Sequence, residues 1–313
     1  MDIKKKIKFA ISLITDPGVR FYYNSAHGKY HDMDDAEYLK KMYKARVGRE
    51  LNLDNPKRIS EKLQWLKLYY RRPEFTNMVD KYEVKKIVAE KIGSEYVLPT
   101  LKVWDRAEDI DVSDLPNEFV LKCTHDSGGF VICKDKSTFD VEAAKEKLGK
   151  RLKRNFFYGD REWPYKNVKP RIIAEPFVDT LGKPESVEYK LTCFNGHVGF
   201  STFCGGIAHD EFKKRKNDHY DRDFKPMPWW TFYEPSGEYL TEEPEFLQEM
   251  IDIAEKLSEG IPYLRVDFYR HNGQTYFGEM TFYTWGGFLI FNPDEWDEKL
   301  GDMLELPEKY IGE

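Results

Sequence analysis

The spacing of hydrophobic residues changes near residue 94, from a helical period to the alternation of strands. Before that point apolar side chains recur every three or four residues, which predicts amphipathic helices. One helix is predicted at 34–47, where Asp34 and Glu37 resemble a capping box, and a second at 59–70. A third is predicted at 76–93, with Gly93 as its C-terminal stop. The first 93 residues are therefore predicted to be helical.

After residue 94 the pattern mixes short strands with a few helices. The predicted strands lie at 96–104, 118–125, 130–134 and 171–178, with a hairpin at 188–204 and a strand pair at 263–283. The predicted helices lie at 141–153 and 244–259. Strands and helices do not alternate as in a doubly wound sheet, which indicates the α+β class. The predicted organisation is an N-terminal helical region at 1–93, a subdomain at 94–178 and a C-terminal subdomain at 179–313.

Composition indicates a folded protein and restricts the kinds of partner it can bind. Of its 313 residues 41% are hydrophobic and 15% aromatic, which is too apolar for a disordered protein. The formal net charge of −6 excludes a generally basic surface, so no nucleic-acid partner is predicted. The four cysteines show no C-x-x-C spacing, which favours a reducing compartment and a cytoplasmic location.

The N-terminus carries a basic amphipathic pattern. Ile3, Ile7, Ile11 and Ile14 fall on one helical face, opposite several lysines. Such a helix suits weak peripheral contact with the anionic inner face of a membrane. A docked terminal helix explains the same pattern. No apolar run approaches the ~18 residues that a membrane span requires.

The first segment with candidate chemistry is 119–132. A buried strand carries Lys122 outward, and the turn Ser127-Gly128-Gly129 then leads into a second strand. A hairpin of this kind can lay backbone N–H groups over a phosphate while an ammonium group neutralises it. An ordinary hairpin with a flexible tip is the alternative.

The second segment is the strand pair at 263–283. Alternation places Arg265 and Asp267 on one face of the first strand, and Glu279 and Thr281 on one face of the second. If both faces coincide, the four side chains form an oxygen-rich set that suits Mg²⁺ with nucleotide phosphates. A salt-bridged sheet face exposed to solvent is the alternative.

The loop between these two strands decides whether the acids meet. A two-residue Asn272-Gly273 turn would pair 271 with 274 and put the two acids on opposite faces. We therefore expect an odd-length loop at 271–273 with a bulge, which pairs 265 with 279 and 267 with 277.

Two further segments lie between these. The apolar strand at 171–178 breaks at Glu175 before a proline, which can present free backbone groups to an adenine edge. In the next strand Glu188 suits ribose hydroxyls and Lys190 suits a phosphate. Alone, each of these segments is compatible with many sites.

Together the segments resemble the ATP-grasp fold, and more narrowly the teichuronopeptide-biosynthesis (TupA-like) ATP-grasp family. The resemblance covers about residues 50–307. It is carried by five blocks in the expected order, at 55–67, 79–82, 121–129, 158–167 and 291–297. It implies that ATP is held between two mainly antiparallel α+β subdomains. The Gly-rich phosphate lid would belong to 94–178, and the metal and substrate site to 179–313.

The resemblance also implies roles for individual residues. Those that would contact the ATP phosphates are Lys81, Lys122 and Lys190, with Ser127, Gly128 and Gly129 as the lid. Those that would bind the nucleoside are Glu175, Phe177 and Val178 at adenine, and Glu188 at ribose. The metal-binding acids would be Asp267 and Glu279, and Arg265 would stabilise the transferring phosphoryl group with Lys190. Thr281 stands where many members have asparagine, so the ligands of a second metal ion stay open.

The function implied is an ATP- and Mg²⁺-dependent ligase that joins a carboxylate to an amine through an acyl phosphate. The expected substrates are a uronic acid of a surface or capsular polysaccharide, or of its precursor, and an amino acid or amine. The basic aromatic segment at 151–171 suits a saccharide, and so do Tyr220, Trp229 and Trp230, although packing explains them equally. A glycosyltransferase and a non-catalytic ATP-binding module are the rival functions, and the sequence leaves the oligomeric state open.

Overall fold

The computed structural model describes residues 11–178, 188–205 and 215–312. Its N-terminal part is helical, as predicted. Asp34 caps the second helix by accepting the Glu37 N–H at 3.0 Å, and Gly48, with φ 81°, ends it. The helices are α1 (Pro17–Ala26), α2 (Asp35–Val47), α3 (Ile59–Tyr69), α4 (Phe75–Val79) and α5 (Glu83–Ile92).

The continuous helix predicted at 76–93 is wrong, because the chain leaves the helical conformation at Asp80. The Asp80 carboxylate accepts the N–H of Tyr82 at 2.8 Å and pairs with Arg171 at 2.7 Å. The Lys81 N–H donates to Thr124 O, at the end of a strand, instead of to a helical carbonyl. The break thus replaces helical hydrogen bonds with tertiary ones and turns Lys81 away from the helix axis. Gly93 ends α5 as expected.

A four-stranded antiparallel sheet follows. Its strands are β2 (Lys102–Trp104), β3 (Phe119–Cys123), β4 (Phe130–Cys133) and β5 (Ile172–Pro176), in the order β2-β5-β3-β4. The helix α6 (Val141–Leu152) packs Ala144 and Leu148 into a small core with Phe119 and Leu121. A short helix, α7 (Phe157–Asp160), comes before β5. The strand predicted at 96–104 is shorter than expected, since 94–96 forms a 3-10 turn.

A five-stranded antiparallel sheet forms the C-terminal half. Its strands are β6 (Glu188–Phe194), β7 (His197–Gly205), β8 (Lys216–Asp221), β9 (Tyr263–His271) and β10 (Gln274–Thr281), in the order β10-β9-β6-β7-β8. The predicted hairpin through Asn195-Gly196 is confirmed, with both residues at positive φ. The helix α8 (Leu247–Ser258) packs against β6, β7 and β9.

The β9–β10 hairpin corrects the expected loop. His271 pairs with Gln274, so the connection is the tight Asn272-Gly273 turn, with φ 51° and 80°. The bulge lies in β10, at Gly278, where the register shifts between Phe277 and Glu279. The extra residue reverses the side-chain alternation, so Asp267 pairs with Glu279 and Arg265 with Thr281. Asp267 and Glu279 lie side by side as predicted, but a bulge within β10 brings them together instead of an odd-length loop.

Two hydrophobic cores hold these parts together. The larger one joins side chains of α2, α3 and α5 to those of the five-stranded sheet and α8. It also takes in α9 (Glu295–Asp302), which packs on α3. A parallel pair, β1 (Tyr70–Arg71) with β11 (Tyr310–Ile311), ties the end of α3 to the last strand. The N-terminal helices therefore share a core with the C-terminal sheet, while the division into three regions stays a prediction.

Two further features bear on the earlier expectations. In the described residues no helix has the length and apolar character needed to cross a membrane. Most of the predicted N-terminal basic helix lies outside the described residues. All four cysteines are buried and free, and burial raises the pKa of Cys123 to about 11 and that of Cys193 to about 12.

Candidate active site

A cavity of about 440 Å³ is lined by residues of the five-stranded sheet, of the loops near 156–165 and 283–291, and of the Gly-rich turn. Residues from both halves line it, including Lys81 and Ser127 from the first half and Lys190 and Thr281 from the second. Its volume is in the range of small-molecule sites. It is the place where the candidate residues can meet a common ligand.

The floor of the cavity is a polar patch on three neighbouring strands. Lys190 of β6, Asp267 of β9 and Glu279 of β10 lie in one row across the sheet. Thr192, Arg265 and Thr281 form the next row. The residues between these positions point to the opposite face, where Leu191, Val266 and Met280 are buried in the larger core.

Asp267 is the electrostatic centre of this patch. Its carboxylate accepts two hydrogen bonds from Arg265, at 2.6 and 2.8 Å, and it pairs with Lys190. Although burial opposes the shift, Arg265 and Lys190 lower the pKa of Asp267. Burial lowers the pKa of Lys190 and of Arg265, but the charge of Asp267 outweighs burial and raises both pKa values. All three side chains are therefore charged at neutral pH.

Glu279 is less constrained than Asp267. Its Oε1 accepts from Arg265 at 3.1 Å and from the Thr281 hydroxyl at 3.4 Å. The side chain is 44% exposed. Among the described residues none contacts Oε2 within hydrogen-bond distance, so this oxygen is available to a ligand.

The other wall comes from Lys81 at the helix break and from Ser127 in the turn between β3 and β4. Lys81 Nζ donates to the backbone O of Asp126 at 2.8 Å, just before the Gly-rich turn. Burial lowers the pKa of Lys81, which also lies within electrostatic range of Glu279 and Lys122. Lys81 therefore lies at the cavity, near Glu279 of the five-stranded sheet and Lys122 of the four-stranded sheet.

Lys122 is held in an ion-pair cluster behind this wall. The buried Glu175 carboxylate binds Lys122 through one oxygen and Lys85 through the other, the latter at 2.5 Å. Burial opposes the shift, but the two ammonium groups lower the pKa of Glu175. Neither Lys122 nor Glu175 lines the cavity. Each carboxylate oxygen of Glu175 is thus paired with one lysine, and the adenine-binding role implied by the resemblance stays a prediction.

The remaining predicted residues lie around the edges. Phe177 and Val178 follow β5 directly, and neither lines the cavity. Glu188 pairs with Lys190 and Arg215, each at 3.2 Å, one row beyond the floor. The structure thus brings Lys81, Ser127, Lys190, Arg265, Glu279 and Thr281 into one cavity, with Asp267 beneath them. It keeps the nucleoside candidates outside it.

The Gly-rich turn is fastened to α6. Arg151 pairs with the buried Asp126 at 2.5 Å and also donates to Ser127 O. Gly128 has φ 75°, which favours glycine, and a Cβ at Gly129 would come within 3.1 Å of Arg151 Nε. Only Ser127 of the turn lines the cavity.

The residues fit Mg²⁺ only together with a substrate. The described residues contain no cluster of three or more His, Cys, Asp or Glu side chains arranged for a metal ion. The floor supplies the free oxygen of Glu279, the Thr281 hydroxyl and a carboxylate of Asp267 that two cations already share. Mg²⁺ commonly binds through one or two carboxylates and completes its shell with phosphate oxygens and water. The donor set therefore suits an ion that arrives with a nucleotide.

Four residues of the basic aromatic segment at 151–171 line the cavity: Phe156, Asp160, Glu162 and Tyr165. Arg161 is fully buried and binds Asp35 at 3.0 Å, and Arg171 is paired with Asp80. Trp163 is buried too, so most of the segment is structural. Tyr220 lies in the core, and Trp229, which stacks on His219 at 3.7 Å, reaches the cavity only from a buried position.

Among the cavity-lining residues to which sequence reasoning gave no role are Asp160, Glu162 and Trp285. Asp160 and Glu162 belong to the block at 158–167 that carries the resemblance, but the resemblance implies no role for either. Trp285 is 44% exposed and has φ 55°, a conformation that side chains rarely adopt outside constrained sites. The sequence holds no signal for that conformation beyond the two glycines that follow.

Two mainly antiparallel α+β units with a cavity of lysine, arginine and carboxylate groups between them define an ATP-grasp protein. The family model described as TupA-like ATPgrasp matches residues 61–305. The chain belongs to the TupA-like ATP-grasp family, as the resemblance of its motifs implied. No curated protein matches the chain.

Solved structures of similar fold are distant. D-cycloserine synthetase DcsG is 17% identical, with a TM-score of 0.39, over 66% of this chain and 62% of that one. D-alanine–D-alanine ligase from Bacillus anthracis, complexed with ATP, is 14% identical, with a TM-score of 0.38, over 71% and 56%. ATP-grasp ligase PsnB with a precursor variant, Mg and ADP is 10% identical, with a TM-score of 0.38, over 78% and 65%. The chain spans less than two thirds of the length of each.

Proposed function

We propose that this protein is an ATP- and Mg²⁺-dependent ligase that forms an amide from a carboxylate and an amine through an acyl phosphate. The observation that carries the proposal is the convergence of Lys81, Lys190 and Arg265 with Glu279 in one cavity. The three cations complement the phosphates of a nucleoside triphosphate, and the carboxylate with a free oxygen complements its metal ion. Membership of the ATP-grasp family supports the same reaction class.

The chemistry requires such a site because a carboxylate is a poor electrophile. Its leaving group would be oxide, and transfer of the γ-phosphoryl group of ATP to a carboxylate oxygen replaces that with phosphate. Negative charge develops on the transferred phosphoryl oxygens and on ADP. Preorganised cations in a site shielded from water stabilise that charge without reorganising during the reaction.

The described side chains divide this work. Arg265 and Lys190 are fixed by Asp267, so both cations point at the cavity in a defined geometry. Glu279 and Thr281, with Asp267, would hold a magnesium ion, which when bound neutralises phosphate charge and orients the γ-phosphoryl group. Lys81 and Ser127 close the opposite side, where the Gly-rich turn would limit hydrolysis of the acyl phosphate.

We further propose that the acid is a uronic acid of a surface polysaccharide or its precursor, and that the amine is an amino acid or simple amine. Aromatic side chains at the cavity support a sugar substrate, because rings stack on saccharide faces. They include Phe156, Tyr165 and the exposed Trp285. The family assignment supports it as well, and the protein would act on the cytoplasmic side of the membrane.

The test is nucleotide turnover that depends on both substrates. Uronate-containing glycans of defined structure are incubated with ATP, Mg²⁺ and mixed amino acids. ADP and phosphate are measured, and mass spectrometry of the glycan detects the increase in mass that amide formation with the amine produces. Release of AMP, or no turnover with any acid and amine pair, contradicts the proposal. ATP binding without turnover would indicate a binding module, and protection from heat by UDP-sugars instead of Mg-ATP a glycosyltransferase.

A further inference from the structure

Glu162 is a buried carboxylate that the proposed mechanism has not used. It lines the cavity and is only 6% exposed. No hydrogen bond or ion pair joins its carboxylate to another described residue, although its backbone O accepts the Tyr165 N–H at 3.1 Å. Burying a charged group without a partner is costly, so natural proteins keep such groups mainly at functional sites.

The cations near Glu162 are committed elsewhere. Lys67 is fully buried, and its ammonium donates to Gln64 Oε1, Asp160 O and Gly286 O at 3.0, 2.6 and 2.6 Å. Three acceptors satisfy all three of its N–H groups. Arg46 is paired with Asp160 at 2.8 Å, and Arg265 with Asp267 and Glu279. These cations lie near Glu162, but among the described residues none forms an ion pair with its carboxylate.

The fold holds Glu162 in this position. The preceding Arg161 has φ 56° and is anchored to Asp35 and to the backbone O of Tyr30 and His31. A short 3-10 turn, Trp163–Tyr165, follows directly. Since residues on both sides are fixed, the backbone of Glu162 keeps its place beside the cavity.

The surroundings of Glu162 differ from those of the phosphate side. Asp160 lies beside it, and Tyr165 and Tyr283 are near enough for its charge to raise the pKa of their hydroxyls, after the larger effect of burial. Carboxylates and aromatic faces together favour a cation. The cavity thus has a cationic end for phosphate and an acidic, aromatic end for a positively charged group.

We propose that Glu162 binds the ammonium group of the amine substrate and accepts its first proton. This inference rests on the proposed ligase function, in which a protonated amine must become a nucleophile. The proton passes from R–NH₃⁺ to the Glu162 carboxylate, and the amine lone pair then attacks the acyl carbon. The C–N bond forms and the C–O bond to phosphate breaks. The departing phosphate takes the second N–H proton, and Glu162 returns the first to water.

The environment of Glu162 suits this role. Burial raises the pKa of Glu162 above its usual range, against the opposing attraction of Lys67. A raised pKa makes the carboxylate a stronger base, and a bound ammonium group favours its charged form. Asp160, Lys67, Arg46 and Arg265 are the charged groups that face it, and the two tyrosines are the uncharged titratable ones.

The binding step is tested without knowledge of the acid substrate. The probe is n-butylammonium chloride, with n-butanol as its uncharged control, and binding is followed by saturation-transfer NMR at millimolar concentration. The full chain should bind butylammonium in preference to butanol, and Glu162→Gln should weaken butylammonium binding by about tenfold or more. Glu245→Gln, at an exposed position outside the cavity, is the matched control. Equal binding of the two probes by the native protein, or unchanged binding by Glu162→Gln, overturns the proposal.

A second measurement separates this inference from the ligase proposal. Hydroxylamine is uncharged at neutral pH and traps an acyl phosphate as a hydroxamate without a base. With D-glucuronate and Mg-ATP, Glu162→Gln should keep hydroxamate formation and lose amide formation with amino acids by about 100-fold. Equal loss of both products would assign Glu162 a structural role and overturn the inference. If the native protein makes no hydroxamate, the ligase proposal for this acid fails, and the binding experiment still decides the ammonium site.

Discussion

Asp267 and Glu279 lie side by side on neighbouring strands, yet their carboxylates have different surroundings. Asp267 is buried and holds two cations, whereas Glu279 is half exposed and keeps one free oxygen. Removing the charge of Asp267 would take their shortest ion pairs from Arg265 and Lys190, and breaking a buried ion pair costs about 3–5 kcal/mol. Loss of activity in an Asp267 variant could therefore reflect either a lost metal ligand or a destabilised site.

Glu279→Gln is the sharper test of the proposed metal site. The substitution keeps the shape of the side chain and removes the negative charge that faces the cavity. We expect turnover to fall at least about 100-fold, because a group that stabilises transition-state charge is lost. The free energy of unfolding should change by less than about 1 kcal/mol, since the side chain is half exposed.

The measurements are ATP turnover at increasing Mg²⁺ and chemical denaturation of the same samples. Glu245→Gln serves as the control. Unchanged turnover in Glu279→Gln, with the same Mg²⁺ dependence as the native protein, would exclude Glu279 from the metal site.

At the scale of elements, the bulge at Gly278 is what brings the acids together. A Cβ at this position would lie 3.0 Å from the backbone O of Asp267. Gly278→Ala should therefore displace β10 from Asp267 by a few tenths of an ångström. We expect turnover to fall about tenfold or more, with a loss of about 1 kcal/mol in stability.

Gly273→Ala is the matched control for this hairpin. Gly273 has φ 80°, so alanine strains the turn and costs about 1 kcal/mol. Nothing lies within 4 Å of the added Cβ, and the turn is far along the strand from the acids. Similar losses of stability with a loss of turnover only in Gly278→Ala would confirm the role of the bulge. Equal turnover in the two variants would refute it.

The elements also show what sequence patterns can and cannot reveal. The alternation around Arg265 and Glu279 predicted a common polar face, because a buried face demands a fixed register. The odd-length loop that we expected is wrong, because a bulge inside β10 has the same effect on the alternation and allows the two-residue turn. The break at Asp80 was hidden for a related reason. Helical periodicity continues on both sides of it, and only the tertiary bonds to Thr124 and Arg171 interrupt the helix.

At the scale of the whole molecule, Lys67 connects parts that are distant in sequence. Its ammonium joins α3 to the loops at Asp160 and Gly286, which carry Glu162 and Trp285 into the cavity. Lys67→Met would remove a buried donor from Gln64 Oε1, Asp160 O and Gly286 O, of which Gly286 O keeps a second donor, Gln64 Nε2 at 3.2 Å. We expect a loss of about 3 kcal/mol or more in stability, measured by chemical denaturation.

Lys41→Met is the comparison for this prediction. Lys41 lies on α2, is half exposed, and pairs with Glu37 at 2.6 Å, so its loss should cost less than about 1 kcal/mol. Similar stabilities of the two variants would show that the buried ammonium contributes little. Lys67 also illustrates a limit of sequence reasoning. On a helical wheel it is an ordinary lysine, and only the assembled fold places acceptors around it.

The burial of every cysteine has a practical consequence for following motion between the two sheets. Because none of the four thiols is accessible and burial disfavours their reactive thiolates, maleimide dyes would ignore the native side chains. New cysteines at Glu142 on α6 and at Glu245 before α8, both exposed, would accept a donor and an acceptor fluorophore. Energy transfer between them would then report, in an otherwise native chain, whether nucleotide draws the Gly-rich hairpin towards the polar floor of the cavity.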